Sequence, residues 1–508
     1  MQRIDFISIA PQIVLLGGAV LVLLAEVTLT LGRRAWAAIS AAALGLSLLL
    51  SVAQWMRVDE LTDLVAAGGL GNDAFLSYTG EALRLPMIVM DHLSAFAGIV
   101  IFAVGGVALT AAWRLVATLD TKGAEFVALV LLAVAGMHLM VISANLILLF
   151  IGLEVTSISL YVVAGFTRDE PNSDEAAMKY FLLGSFASAI FLYGIALVFA
   201  ATGSISIYGE GAITEFIRGR VLTLGASGGV LWVGIALMII GLAFKVTAAP
   251  FHQWAPDVYQ GAPGGAVGLM AAGVKVAAFI SLARLLVAAF ELAYRLWVPP
   301  LAAVAALSVV VGTALAIAQT DLRRMLAYSG VAHAGFMLSA LVAVEDGVPA
   351  LLFYVSTYAF MLLGAFTVTA IVSGPRNGAS PLEAYRGLAA RAPGLALTLA
   401  VFMLSLGGIP LLAGFVGKVT VFAAAIGAGY LWLALVGLVA SVAGLFFYLR
   451  VIVLMYFQQP ADAPGTAAAP PEVGVGGRLV LVACLAVTIS FGVAPWPLLD
   501  WVSGALPF

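Results

Sequence analysis

Three of the chain's five lysines, Lys245, Lys275 and Lys418, lie inside long apolar stretches of the sequence. The chain has 23 lysines and arginines in total, and the other eighteen are all arginines. Arginine keeps its proton in proteins, whereas a lysine in a medium of low dielectric constant can lose it near neutral pH, because burial disfavours the charged form. Lysines placed in this way predict a protein that moves protons.

A carboxylate accompanies these lysines. Glu154 lies well inside the apolar stretch 147–161. An unpaired carboxylate at membrane depth is costly, so we expect Glu154 to be protonated, hydrated or paired, with Lys245 as its partner. The alternative is a static ion pair that only fixes the packing of two helices.

Lys275 is the first candidate for a central proton carrier. It lies about ten residues into a predicted helix, and its small neighbours Ala271, Ala272 and Gly273 leave room for water. A lysine at this depth is too far from either surface to extend its ammonium group into water. The alternative is a structural lysine hydrogen-bonded to nearby carbonyl groups.

Other polar residues are weaker candidates. His252 and His333 could relay protons, because an ordinary imidazole titrates near pH 6.5, or they could pack as hydrogen-bonded core residues. Lys179 is predicted to open a helix as a solvated interfacial charge, and Arg284 to anchor a helix end at the membrane surface. His92 and His138 are expected to be structural, and the four histidines have no metal-ligand spacing.

The composition predicts an all-α polytopic membrane protein. Of 508 residues, 63% are hydrophobic and 10% charged, and the mean hydropathy is +1.13. The single cysteine, Cys484, excludes a disulfide framework and a CxxC cluster motif within the chain. Apolar stretches of helical length predict about 14 transmembrane helices, at 9–31, 35–55, 90–112, 124–142, 144–166, 178–202, 228–258, 265–290, 299–318, 326–345, 348–373, 393–427, 430–456 and 478–499.

Two of these stretches are longer than one span and contain proline and glycine, which interrupt helices. The breaks fall at 245–250 in helix 7 and at 407–414 in helix 12, five helices apart. An odd offset predicts two inverted five-helix repeats, helices 4–8 and 9–13, in which Lys418 corresponds to Lys245. The chain is therefore predicted to comprise N-terminal helices 1–3 at 1–115, the two repeats at 120–290 and 296–457, an Ala/Pro-rich linker at 458–477 and helix 14 at 478–508.

An even number of spans places both termini on one side of the membrane. Loops on the opposite side carry more arginine and lysine, and such loops stay in the cytoplasm. The sequence therefore predicts both termini on the outer, periplasmic side of a bacterial inner membrane.

The motifs around the breaks are those of a known family. The segment 244–263, Phe-Lys-Val-Thr-Ala-Ala-Pro-Phe-His-Gln-Trp-Ala-Pro-Asp-Val-Tyr-Gln-Gly-Ala-Pro, resembles helix 7 of the antiporter-like membrane subunits of proton-pumping NADH:quinone oxidoreductase, respiratory complex I. Its ending, 256–263, resembles the subunit N branch in particular. Segments 179–184, 321–333 and 407–418 resemble the same family, whereas the first three helices resemble it weakly.

The resemblance implies roles for individual residues. Glu154 and Lys245 would form the controlling pair, Lys275 would be the central proton carrier, and Lys418 would belong to the far half-channel. It also implies a translocase subunit without a redox centre of its own, with NADH, FMN, iron–sulfur clusters and quinone in other subunits. The implied partners are other membrane-arm subunits, including a neighbouring antiporter-like subunit, the quinone-linked electron-transfer module and the lipid bilayer, and not nucleic acid.

Two other functions remain open at this point. Mrp-type cation/proton antiporters and the membrane subunits of energy-converting hydrogenases are similar in fold and lysines, although the segment 257–263 argues against both. A non-transporting assembly scaffold, in which the buried charges only hold helices together, is an alternative of another class.

Overall fold

The computed structural model describes residues 6–29, 32–67, 76–79, 85–119, 122–167, 170–208, 228–374, 376, 379–459 and 471–506. Within these ranges the chain forms a bundle of long apolar helices. In chain order they are α1 Phe6–Leu29, α2 Arg33–Ala66, α3 His92–Val116, α4 Lys122–Val141, α5 Leu146–Ala164, α6 Pro171–Thr202, α7a Gly229–Lys245, α7b Trp254–Gly261, α8 Gly264–Ala289, α9 Tyr294–Ile317, α10 Leu322–Ala340, α11 Val348–Ser373, α12a Pro393–Gly407, α12b Ala413–Gly427, α13 Leu431–Phe457, α14 Val475–Val493 and α15 Trp496–Ser503.

Short elements complete the described part. Two strands, β1 Leu76–Thr79 and β2 Leu85–Val89, form an antiparallel hairpin that the all-α prediction did not include. The backbone of β2 also pairs with the connection between α4 and α5, since the Val89 amide donates to the Ile142 carbonyl at 2.9 Å. The remaining short helices are Glu291–Ala293, Leu341–Gly347, Leu382–Tyr385 and Leu388–Arg391.

The fourteen predicted spans correspond in order to α1–α14, so the all-helical polytopic fold is confirmed. Two boundaries differ substantially. Helix α2 continues to Ala66 because its polar extension keeps an apolar stripe, in which Val58 and Leu61 pack on Met90. Helix α6 begins at Pro171, a favoured first helical residue, so Lys179 lies two turns inside the helix rather than at its start.

Both predicted helix breaks are present. Helix α7a ends at Lys245, and Thr247 (φ +62°) lies in the left-handed region before α7b begins. Helix α12a ends at Gly407, followed by Gly408 (φ +89°) and Leu411 (φ +69°). These conformations are unfavourable for residues with a side chain, and Thr247 and Leu411 adopt them only where the surrounding packing enforces them.

Helix α8 lies at the centre of the bundle. Its most apolar stretch is completely buried, whereas α1, α2 and α14 expose most of theirs toward the bilayer. The sequence predicts a regular helix here, but two π-helical turns, Leu269–Gly273 and Leu285–Ala289, interrupt α8. Such turns are uncommon and occur frequently at functional sites. The arrangement of α4–α13 as two inverted repeats remains a prediction, and most of the predicted linker, 460–470, lies outside the described residues.

Arg284 is not an interfacial anchor, and this prediction is wrong. Its guanidinium group is fully buried and binds Asp91 with two hydrogen bonds, Nη1 to Oδ2 at 2.7 Å and Nη2 to Oδ1 at 2.8 Å. Asp91 also caps α3, since its side chain accepts from the Ser94 amide. The planar guanidinium fits a carboxylate in this bidentate manner, and the pair joins the end of α8 to the start of α3.

We expect Asp91→Asn to destabilise the protein by about 3–5 kcal/mol, because it leaves a buried guanidinium without a counter-charge while retaining the helix cap. Thermal unfolding of the protein purified from native membranes measures this loss. Glu60→Gln is the control, since it breaks a pair with Arg57 whose side chains are 43% and 67% exposed, worth at most about 1 kcal/mol. Equal losses for the two variants would contradict a stabilising role for the buried pair.

Candidate functional site

Lys245 lies in an aromatic enclosure at the end of α7a. It is buried, and its Nζ donates a hydrogen bond to the Ser157 hydroxyl of α5 at 2.6 Å. The same Nζ lies 5.4 Å from the ring centroid of Tyr161 and 5.6 Å from that of Tyr180. A cation near aromatic ring faces is attracted by their quadrupoles. The ring of Phe244 lies at 5.7 Å, so one hydroxyl and three rings hold this ammonium group.

Glu154 lies on α5 one turn before Ser157. It is half-buried, and its Oε1 atom has no hydrogen-bond partner in the protein. The expected ion pair with Lys245 is not formed in the described structure, where the lysine donates to Ser157. Within the described contacts, Glu154 and Lys245 therefore do not touch, although both face the region between α5 and α7a.

The family-like segments 179–184 and 244–263 build this enclosure. A Cβ atom at Gly184 of α6 would lie 2.0 Å from the Tyr161 hydroxyl oxygen, so the ring of Tyr161 requires glycine there. Tyr180 stacks on Trp254 of α7b, with ring centroids 4.6 Å apart. Trp254 in turn donates to the Phe244 carbonyl at 3.1 Å, which ties the two halves of the broken helix together.

Lys275 is buried in α8 directly after the first π-helical turn. Its Nζ donates to the Gly330 carbonyl of α10 at 2.6 Å and lies 5.4 Å from the ring centroid of Tyr358. A Cβ atom at Gly330 would lie 2.9 Å from Nζ, so glycine permits this close approach. A carbonyl contact of this kind is also what a purely structural lysine would make.

A connected polar cluster follows Lys275 through α10, α11 and α13. The ring of Tyr358 lies against that of His333, with centroids 4.9 Å apart. His333 is hydrogen-bonded at both ring nitrogens, by Nδ1 to the Tyr354 hydroxyl at 2.8 Å and by Nε2 to the Tyr448 hydroxyl at 3.1 Å. Tyr448 is also hydrogen-bonded to Ser329. The structure thus places His333 in an extended hydroxyl network.

Lys418 caps the other half of its broken helix. Its Nζ donates to the carbonyl groups of Leu406 at 3.0 Å and Gly407 at 2.9 Å, and to the Ser441 hydroxyl at 2.7 Å. The last carbonyl groups of a helix have no partner within it and form the negative end of its dipole. Lys418 on α12b therefore stabilises the end of α12a across the break.

The two weaker candidates lie elsewhere. His252 is in the connection between α7a and α7b, with Nδ1 unpartnered and its ring centroid 6.1 Å from that of Tyr328. Lys179 is 38% exposed and pairs with Glu175 and Asp257, both at 2.6 Å. Asp257 also pairs with Arg324 of α10, so this charge network joins α6, α7b and α10 at one surface of the bundle.

Sequence reasoning missed the uncharged members of the site. Ser157 and Ser441 each bind a lysine, and three tyrosines, Tyr354, Tyr358 and Tyr448, surround His333. A tyrosine deep in a predicted span is a usable signal, since a buried phenol usually finds a hydrogen-bond partner. Within the described residues, no group of three His, Cys, Asp or Glu side chains is placed to hold a metal ion.

Known proteins are similar to this chain in sequence and in fold. The family model described as NADH:quinone oxidoreductase/Mrp antiporter, TM, matches residues 143–444. NADH-quinone oxidoreductase subunit N of Saccharopolyspora erythraea is 38% identical over 524 aligned positions, covering 99% of this chain and 98% of the relative. This chain belongs to the subunit N family.

Solved structures are similar over nearly the whole length of this subunit N family member. A chain of respiratory complex I from Thermus thermophilus has a TM-score of 0.77 and 32% sequence identity, covering 96% of this chain and 98% of that chain. A chain of the Mrp complex from Dietzia sp. has a TM-score of 0.82 with 22% identity, covering 99% and 97%. The second similarity shows the fold alone.

We expect Ser157→Ala to impair proton pumping severalfold at unchanged assembly, because Lys245 loses its only hydroxyl acceptor among the described contacts. Ser159→Ala is the matched control: Ser159 is also a buried serine of α5 whose hydroxyl donates to a carbonyl of its own helix, as that of Ser157 does, but it accepts from no lysine among the described contacts. Proton pumping driven by quinone reduction, measured in membrane vesicles, compares them. Equal pumping by the two variants would contradict a role for the Ser157 contact.

Proposed function

We propose that protons cross this subunit along a path controlled by Glu154 and Lys245 and carried by Lys275 and Lys418. Its family membership makes the chain a proton-translocating membrane subunit of NADH:quinone oxidoreductase. The proposal rests on one observation: buried titratable groups and hydroxyls follow one another from Lys275 through Tyr358 and His333 to Tyr448.

The first step is electrostatic. Lys245 is held by one hydroxyl and by ring faces, so moving it toward or away from Glu154 breaks few contacts. Bringing a unit charge to about 4 Å from another changes the energy by about 4 kcal/mol at an effective dielectric constant of about 20. This corresponds to roughly a thousandfold change in a protonation equilibrium. In the proposed cycle Lys245 moves between Glu154 and Lys275, and an approach to about 4 Å from Lys275 would be sufficient to unload its proton.

The second step is transfer. An imidazole hydrogen-bonded at both nitrogens can accept a proton on one side and release it on the other, and His333 has a phenol hydroxyl at each nitrogen. Tyr358 lies beside both Lys275 and His333, and its hydroxyl has no protein partner. The π-helical turn before Lys275 gives α8 local freedom at the loading position. Lys418 is the last carrier, and His252 and Lys179 are candidates for relay on the opposite side.

The proposal includes the setting of the subunit. NADH, FMN, iron–sulfur clusters and quinone act in other subunits, and quinone reduction there drives the movement of Lys245. The neighbours are other membrane-arm subunits, including another antiporter-like subunit. The chain lies in the bacterial inner membrane with both termini on the periplasmic side, so that access to Lys275 is cytoplasmic and release through Lys418 is outward.

The alternatives predict different behaviour. An Mrp-type antiporter would show sodium-dependent transport in the absence of quinone reduction. This alternative is worth testing because the chain is similar in fold to a chain of the Mrp complex. A scaffold would lose assembly, rather than pumping, when its buried charges are neutralised.

We expect Lys275→Ala to abolish pumping through this subunit and Lys275→Arg to reduce it at least tenfold, because neither side chain exchanges a proton near pH 7. The ratio of pumped protons to oxidised NADH in vesicles containing the assembled complex measures this. Lys122→Ala is the control, since Lys122 is exposed at the start of α4. Full pumping by either Lys275 variant would refute the assigned role, and loss of assembly in both would favour the scaffold.

We expect Tyr448→Phe to lower the pumping rate severalfold, because it removes the hydroxyl that joins His333 to Ser329 while keeping the ring. Tyr456→Phe on the same helix is the matched control, because Tyr456 is 42% exposed. The same vesicle assay applies, with NADH oxidation measured in parallel. A rate for Tyr448→Phe equal to that of the control would remove Tyr448 from the path.

A further inference from the structure

A groove between α2 and α3 lies outside the proton path. It encloses about 550 Å³ and has a floor of small residues, Ala41, Gly45, Ala103 and Gly106. A Cβ atom added at Gly45 or Gly106 would meet no atom within 4 Å, so the space above these glycines is open. The groove therefore has room for an occupant that this chain does not supply.

The groove has the length and exposure of a site for one acyl chain. Its lining runs from Ala37 to Leu48 on α2 and from Trp113 to Phe102 on the antiparallel α3, about 16 Å at 1.5 Å per residue. This is roughly half the ~30 Å hydrocarbon core, the depth of one leaflet. Leu46 and Leu49, beside the lining residues of α2, are 48% and 66% exposed, which is expected of a lipid-facing surface.

One end of the groove is basic. Arg34 precedes Ala37 and Ala41 on the same face of α2, at helical spacing, and Arg114 directly follows Trp113 on α3. Arg114 donates to the Glu472 carbonyl at 2.6 Å, which brings the segment before α14 to this end. Arg478 follows on α14, two residues after the lining residue Gly476. Three arginines, on α2, α3 and α14, and the acidic residue Glu472 thus lie within about one helical turn of lining residues at this end of the groove.

We propose that this groove binds an anionic phospholipid, with one acyl chain along the small residues and the phosphate group at Arg34 and Arg114. Basic residues at the ends of membrane helices recognise anionic head groups. A single acyl chain is narrow enough to enter between α2 and α3.

The assembled complex, exchanged into nanodiscs containing phosphatidylglycerol or phosphatidylcholine, tests the acyl-chain position. Gly106→Leu places a side chain in the open groove, and Gly17→Leu on α1 is the control, because Gly17 also has no atom within 4 Å. Native mass spectrometry counts the phospholipids that remain bound after delipidation. We expect the Gly106 variant to lose one phosphatidylglycerol per complex and the Gly17 variant to retain it.

The head-group position is tested by the double variant Arg34→Gln, Arg114→Gln. We expect roughly thirtyfold weaker retention of phosphatidylglycerol, with unchanged retention of phosphatidylcholine. Arg57→Gln, near the opposite end of α2, is the control. Three outcomes would overturn the proposal: unchanged retention in the Gly106 variant, equal losses of both lipids in the double variant, or a cryo-EM map of the complex in which a neighbouring subunit fills the groove. None of them bears on proton transfer through Lys275.

Discussion

A buried ammonium group needs hydrogen-bond acceptors that the interior of a helix bundle does not readily supply. Most backbone carbonyls inside a regular helix are already paired and shielded by their own turn, and a carboxylate in direct contact would favour the charged form of the amine. The chain satisfies its three buried lysines without a carboxylate: a serine hydroxyl for Lys245, the carbonyl of a glycine for Lys275, and the free carbonyls of a broken helix for Lys418. In each case the amine has an uncharged acceptor, as the proposed proton exchange requires. The breaks, the glycines and the close packing of α8 on α10 follow from this requirement.

Hydropathy and the positions of proline and glycine were enough to predict the helix order, both breaks and the lysines inside the bundle, because each of these depends on local sequence. The partners of the lysines depend on tertiary packing instead. Nothing near Ser157 in the sequence distinguishes it from Ser159, and only the packing of α5 on α7a brings it to Lys245. The π-helical turns of α8 have no sequence signal for the same reason. The burial of Arg284 could not be read from its distance to a helix end, because Asp91, its partner, lies 193 residues away.

The two broken helices use their lysines differently. Lys245 is the last residue of α7a, before its break, whereas Lys418 follows the break and binds the end of the preceding half-helix. The residue of α12a in the position of Lys245 is Gly407, whose carbonyl accepts from Lys418. The predicted correspondence of Lys418 with Lys245 is therefore not positional, since Lys245 ends the half-helix before its break and Lys418 lies in the half-helix after the other break. A lysine held by one hydroxyl is suited to move, and a lysine held by three acceptors is suited to stay.

The two ends of α8 also differ in how firmly they are held. Arg284 joins its far end to Asp91 at the start of α3 through two charge-assisted hydrogen bonds, which fixes that end firmly. The near end follows α7b, whose Asp257 binds Lys179 of α6 and Arg324 of α10 in a partly exposed network. Lys275 lies between these ends, next to a π-helical turn, where the regular pairing of backbone groups is already altered. With the far end fixed, this turn is the part of α8 that can yield to a displacement of α7b. In the proposed path, a change at Lys245, the last residue of the adjoining half-helix α7a, would be passed to Lys275 through this turn.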